Sequence, residues 1–138
     1  MVNSALYIVW SDENRLGIPV IDEQHRGIVS LINSFYHFVK RGEARKVMLP
    51  VLAALVYSTS VHFMTEEELI TSAGYTHAQE HIELHKTLMK RTKLIAREAA
   101  SNADVDLEAL AFLKDWWLGH INGADRQYAR CVIDNICR

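Results

Sequence analysis

The stretch HFMTEEELI, residues 62–70, decides how the rest of the chain is read. Upstream, Leu52, Leu55 and Thr59 recur in steps of three and four, the spacing of one helix face. His62, Glu66 and Leu69 continue that face without a break. A histidine and a carboxylate therefore stand one turn apart where a helix should present leucine to its core. Glu67 and Glu68 lie about 100° and 200° further round, so Glu66 is expected to point inward and Glu68 toward water.

The same helical period runs outward in both directions, and no segment alternates with period two for long enough to build a sheet. Ile28, Ile32, Phe35 and Val39 mark a helix for which Asp22 is a suitable N-cap and Arg41-Gly42 a stop. The helix containing residues 62–70 should begin between Glu43 and Pro50, with Pro50 in its first turn, and end at Gly74. Thr76-His77-Ala78-Gln79 reads as a capping box for a third helix with the seam His81, His85, Leu88, Thr92, Ile95. A fourth carries Leu110, Leu113, Trp117 and His120. The expected fold is all-α: an antiparallel up-down-up-down four-helix bundle with an N-terminal arm and a short C-terminal helix. As one domain over 1–138, it has an arm over 1–21, helices over 22–41, about 45–73, 76–100 and 105–121, and a short helix over 124–137. Leu6, Tyr7, Ile8 and Trp10 should pack the arm across the bundle.

Composition narrows the function. With 15 basic and 17 acidic side chains among 138 residues, neither sign predominates in a way that suggests nucleic acid. The longest apolar run, Leu49–Tyr57, is too short to span a bilayer, so no membrane insertion is expected. MVNSALYIVW lacks the pattern of a signal peptide, which points to the cytoplasm. Cys131 and Cys137, six apart, fit neither a redox pair nor a zinc knuckle and read as reduced thiols.

What remains to be explained is the polar content of the seams. Each helix places a histidine inward (His25, His62, His81 with His85, His120), and Glu66 and Asp125 add carboxylates. Burying this set uncompensated would cost several kcal/mol per charge. Metal ions are the natural compensation, and imidazole with carboxylate suits iron, zinc or manganese. Positions i and i+4 differ by only about 40° and rise about 6 Å, so His62/Glu66 and His81/His85 can each converge on one centre. His77/His81 has the same spacing, but equal depth in antiparallel helices favours His81/His85 and leaves His77 at the rim; His37 reads as surface. His120 and Asp125, five apart, would lie about 140° apart on an unbroken α-helix. A break at Gly123 is expected to swing Asp125 back, with the fourth helix ending near His120–Asn122.

These residues resemble the bacterial hemerythrins over nearly the whole chain. The resemblance rests on Gly17 with Ile21-Asp22-Glu23-Gln24-His25, on His62-Phe63-Met64-Thr65-Glu66-Glu67, and on Gly74-Tyr75 leading to His81 and His85. Trp116, His120-Ile121, Asp125 and Tyr128 complete it. It implies a non-haem di-iron centre (Fe2+/Fe3+) in which His81, His85 and His120 bind one iron and His25 and His62 the other. Glu66, Asp125 and an oxo or hydroxo group would bridge them. Counting donors then leaves one open position, on the His25/His62 iron, where O2 would bind reversibly for storage, delivery or scavenging. NO and small anions are further candidates for that position. Phe63, Trp116, Trp117 and Ile121 would line the pocket. Trp117 stands where the family's pattern has leucine, which would narrow the pocket or remodel its access; Thr76 stands where it has proline.

Two other functions fit less of the sequence. An O2- or redox-sensing domain cut from a longer signalling chain would use the arm as a lever to an attached module. A di-iron oxidase or peroxidase would be expected to use Glu-x-x-His pairs and more carboxylates, against five histidines and two carboxylates here. A binding protein rather than an enzyme is the expectation.

Overall fold

The computed structural model describes residues 6–134, apart from the side chains of Ile121 and Asn122. Among them are α1 (Pro19–Arg41), α2 (Arg45–Ser72), α3 (Ala78–Ser101), α4 (Asp106–Gly119) and α5 (Asp125–Asp134), and no strand. Helix α1 packs on α2, α2 on α3, α3 on α4 and α4 on α1, which closes the bundle. The all-α bundle with an arm and a C-terminal helix is therefore the fold adopted.

Local chemistry explains where several ends differ from expectation. Helix α1 starts at Pro19 rather than Asp22, because proline's fixed φ and missing N–H suit a first turn. Asp22 caps in the opposite direction: its carboxylate accepts the Leu16 and Gly17 N–H groups at 2.7 and 3.1 Å, tying the arm to the helix. Gly17 turns there with φ 91°, and a Cβ at this position would meet Ile133 Cδ1 at 3.1 Å. In α2, Pro50 falls beyond the first turn. It lies on the exposed side, where water can satisfy the carbonyl whose helical bond it forgoes. No capping box forms at α3; His77 is the N-cap and makes no side-chain cap bond.

The described part of the arm is held through Ile8, which is buried and exchanges two 2.9 Å bonds with the Asn33 side chain. Tyr7 stacks on Tyr36 at 4.7 Å, whereas Leu6 stays exposed. At the opposite end of the bundle, Arg45 bonds the Ala99 carbonyl and the Asp106 carboxylate, joining the start of α2 to the end of α3 and the start of α4. Cys131 is disulfide-bonded rather than the reduced thiol expected from sequence.

The core is layered. Ile28, Ile32, Phe35, Met48, Leu55, Leu113 and Trp117 belong to one apolar cluster; Leu16, Ile18, Ile21, Ile70 and Tyr128 form another. Between them, on every bundle helix, lie the polar seam residues. The inward position at the end of α2 is Ile70, buried, rather than Leu69, partly buried. By length and composition α2 could cross a membrane, with a mean hydropathy of 1.7 over its most apolar window. In the bundle its inward face packs against the other helices, and that composition reflects an outer face that is also uncharged from Val47 to Thr65.

Replacing Asp22 with Ala should leave the Leu16 N–H buried without a partner. A loss of about 1–3 kcal/mol is expected, measured as a lower urea midpoint with helix content unchanged. An unaltered midpoint would show that the Asp22 contacts do not hold the arm.

Candidate metal centre

All seven inward residues meet at one place. His25, His62, Glu66 and Asp125 are fully buried, and His81, His85 and His120 are at most 6% exposed. Helix α1 delivers His25, α2 delivers His62 and Glu66 one turn apart, and α3 delivers His81 and His85 likewise. His77 and His37 are exposed and stand apart, as their positions in the sequence suggest.

The fourth contribution is built differently from the expected break. The chain does not stop at Gly123; residues His120–Ala124 form a π-helical turn between α4 and α5. The Asp125 N–H bonds the His120 carbonyl, an i→i+5 closure. That wider turn brings residues five apart onto one face, so His120 Nε2 lies 2.8 Å from Asp125 Oδ1.

The two carboxylates face both ways. Glu66 Oε1 lies 3.1 Å from His81 Nε2 and 2.9 Å from His85 Nε2, while its Oε2 lies 3.2 Å from His62 Nε2. Asp125 Oδ1 lies 3.2 Å from His81 Nε2, and its Oδ2 lies 2.9 Å from His25 Nε2. Two donor groups result, sharing Glu66 and Asp125: one with His81, His85 and His120, the other with His25 and His62. In each, the donor atoms lie within 4.8 Å of one another.

Three features fit this set to metal ions. The Nε2 atoms of His25 and His62 lie 3.0 Å apart, a separation that requires a proton or a cation between them. His85 Nε2, His120 Nε2 and both Asp125 oxygens are buried without a hydrogen bond, despite those short separations. Close contacts without hydrogen-bond alignment are what donors converging on a shared ion produce. Finally, an ion held at about 2.1 Å by octahedral donors sets neighbours about 3.0 Å apart, close to the separations here.

Without metal the cluster must hold protons. Burial opposes the charge on Glu66, yet His120, His25, His62 and His81 keep its carboxyl well below the usual range. Burial also lowers His81 and His120, but Asp125 and Glu66 outweigh it and push both up to about 9. His62 is lowered by burial, whereas His25 is raised because Asp125 and Glu66 overcome the same effect.

Several contacts around the cluster join residues of different helices, and no single-helix spacing marks them. His62 Nδ1–H donates to Gln24 Oε1 at 2.9 Å, and the Gln24 amide donates to Thr65. Glu67 accepts from His85 Nδ1 at 3.0 Å, and Tyr128, fully buried, donates to Glu66 Oε2 at 2.7 Å. Such partners fix ring orientation and tautomer. Burial, then the Glu66 charge, pushes the Tyr128 phenol up, so it stays a donor. Glu68 is exposed and accepts from the Ser72 hydroxyl.

The expected pocket aromatics divide. Phe63 stacks on His85 at 3.8 Å and Trp116 on His120 at 5.7 Å, both on the three-histidine side. Trp117, fully buried, lies 6.0 Å from His25 and 5.9 Å from His62 between ring centres. The Ile121 side chain falls outside the described residues.

Residues 16–132 match the family described as the hemerythrin HHE cation binding domain. The chain is 34% identical over 122 residues to a bacteriohemerythrin of Stenotrophomonas maltophilia, covering 88% of this chain and 79% of that one. Against a bacteriohemerythrin of Pseudomonas paraeruginosa it is 32% identical, covering 91% and 82%. A myohemerythrin of Riftia pachyptila is 28% identical, with 87% and 89% covered. A crystal structure of a hemerythrin point mutant shares the fold, with a TM-score of 0.83 at 24% identity over 93% of this chain and 98% of that one. The relatives are named as hemerythrins, in keeping with the expectation of a binding protein rather than an enzyme.

In the metal-free protein, His81 and His120 should make stability depend on pH. Their folded values of about 9 lie above the ordinary 6.5. The stabilisation is therefore complete below about pH 6.5 and is lost as pH rises through about 9. The urea midpoint of metal-free protein should fall over that window, and His120→Gln should flatten the fall. A midpoint independent of pH in both proteins would contradict the assignment.

Proposed function

This chain belongs to the hemerythrin family, and we propose from that premise that it holds two non-haem irons and binds O2 reversibly beside His25 and His62. The observation that carries the proposal is the asymmetric sharing of the carboxylates: His81, His85 and His120 face Glu66 Oε1 while His25 and His62 face its Oε2, and His81 and His120 face Asp125 Oδ1 while His25 faces its Oδ2. If both carboxylates and a solvent-derived bridge served each ion, the three-histidine side would offer six donors and the His25/His62 side five, which would leave the open position beside His25 and His62. Iron held by these residues would supply the two electrons that O2 takes up on binding and gives back on release.

The chain's own residues keep that exchange reversible. Gln24 accepts from His62 Nδ1 and leaves Nε2 facing the centre; Glu67 does the same for His85. Tyr128 occupies a lone pair of Glu66 Oε2 and holds the carboxylate in its bridging attitude. Trp117 forms an apolar wall on the two-histidine side, so bulk water and its protons are kept from the bound gas. A role in storing, delivering or scavenging O2 follows from reversible binding at a site this enclosed.

Metal analysis with an anaerobic O2 titration tests the proposal. Two irons per chain and a visible absorption that appears with O2 and disappears on degassing are expected. Zinc in their place, or irreversible bleaching, would sink it. Glu66→Ala should lose iron and Glu68→Ala should retain both ions; equal retention would overturn the bridging role of Glu66. Trp117→Leu should keep two irons but lose about 2–4 kcal/mol of stability, and its O2 absorption should decay faster as water enters. Unchanged decay in that variant would show that Trp117 does not guard the site.

A further inference from the structure

Helix α2 carries a second pattern, on the face turned away from the cluster. Pro50, Ala53, Tyr57, Val61 and Met64 are exposed and uncharged, and the exposed Lys46 and Glu68 end the row. At 100° per residue all lie within about 40° of Tyr57. An outward helix face is ordinarily polar, yet Tyr57 is 72% and Met64 69% exposed here.

The row is also a palindrome. Successive spacings are 4, 3, 4, 4, 3 and 4, the same in either direction from Tyr57. Reversing the helix about Tyr57 places Pro50 on Met64, Ala53 on Val61, and Lys46 on Glu68. We propose that α2 pairs antiparallel with α2 of a second copy of this chain, on a two-fold axis through Tyr57. Each large side chain then meets a small or flat one, Val61 against Ala53 and Met64 against Pro50. The ends are closed by two symmetry-related ion pairs between Lys46 and Glu68. The mean step over the row is close to the undistorted helical period, so the two helices lie side by side without marked supercoiling.

Self-association fits better than a bilayer surface. Interfacial helices rely on cations along the rim of the apolar face, whereas this row ends in a cation at one end and an anion at the other, complementary only to its own reverse. Paired over residues 46–68, the helices run about 33 Å together. The area removed from water is on the order of 1,000 Å², at the lower edge of specific interfaces, the range of transient pairs. His62 and Glu66 lie about 140° and 180° round the helix from Tyr57, so the pairing is independent of what the cluster binds. It also lays the second copy along a cavity of about 230 Å³ lined by Gln24, Gly27, Ile28, Tyr57, Ser58 and Val61, beside the Gln24 contact to His62.

Sedimentation velocity on the metal-loaded full chain, from micromolar to submillimolar, tests the pairing. A concentration-dependent monomer–dimer equilibrium is expected. Tyr57→Glu, which puts two carboxylates on the axis, should raise the dissociation constant roughly thirtyfold or more with helix content unchanged. Lys46→Glu and Glu68→Lys should each weaken the dimer about three- to tenfold, and the two together should restore it to within about twofold. A monomer throughout, indifference to Tyr57→Glu, or no rescue by the double exchange would overturn the proposal. So would flotation with phosphatidylcholine–phosphatidylglycerol vesicles in place of self-association.

Discussion

Everything in this molecule is arranged around the burial of five imidazoles and two carboxylates in one small volume. Isolated charges in such a place would cost far more than a domain of this size can spare, so the groups must neutralise one another. Protons can do this in part, as the displaced titrations of His81, His120 and Glu66 show. They cannot satisfy every atom: His85 Nε2 and both Asp125 oxygens are left without a hydrogen bond. Divalent or trivalent ions remove both problems at once, supplying charge and accepting every lone pair directed at them.

The bundle makes that burial mechanically possible. The polar layer is sandwiched between the cluster around Ile28, Leu55 and Trp117 and the one around Ile21, Ile70 and Tyr128. Each helix thus spends most of its seam on ordinary apolar packing and only one or two turns on the site. Three helices use the i, i+4 or single-residue geometry of a regular α-helix. The fourth cannot, because its histidine and aspartate are five apart, and it accommodates them by widening one turn into a π-helix. The irregularity is confined to the site itself, with regular turns on both sides.

Around the cluster, hydrogen bonds and aromatic rings set orientation. Gln24 and Glu67 fix His62 and His85, and Tyr128 fixes Glu66. Phe63 and Trp116 stack on the three-histidine side while Trp117 stands against the other pair. The two metal positions are thereby given different surroundings as well as different donor numbers. Helix α2 bears two patterns at once, one inward and polar at its centre, one outward and apolar.

The amino-acid sequence alone determined the helices, their number and the inward pairs His62/Glu66 and His81/His85, because the 3.6-residue period is a local property that spacing reveals. Local competition limited the rest. Pro19 opened α1 ahead of Asp22, and Asp22 turned to the arm instead. The Thr76 capping box did not form, since the chain entered α3 through His77. Only the tertiary structure decided how Asp125 reaches the centre. Gly123 suggested a break, but the chain continues as a helix with one wider turn, closed by the Asp125 N–H on the His120 carbonyl, and meets the same demand. Gln24 beside His62 and Tyr128 beside Glu66 were likewise beyond sequence spacing, because contacts between helices depend on their relative depth and rotation, which packing of the whole bundle sets.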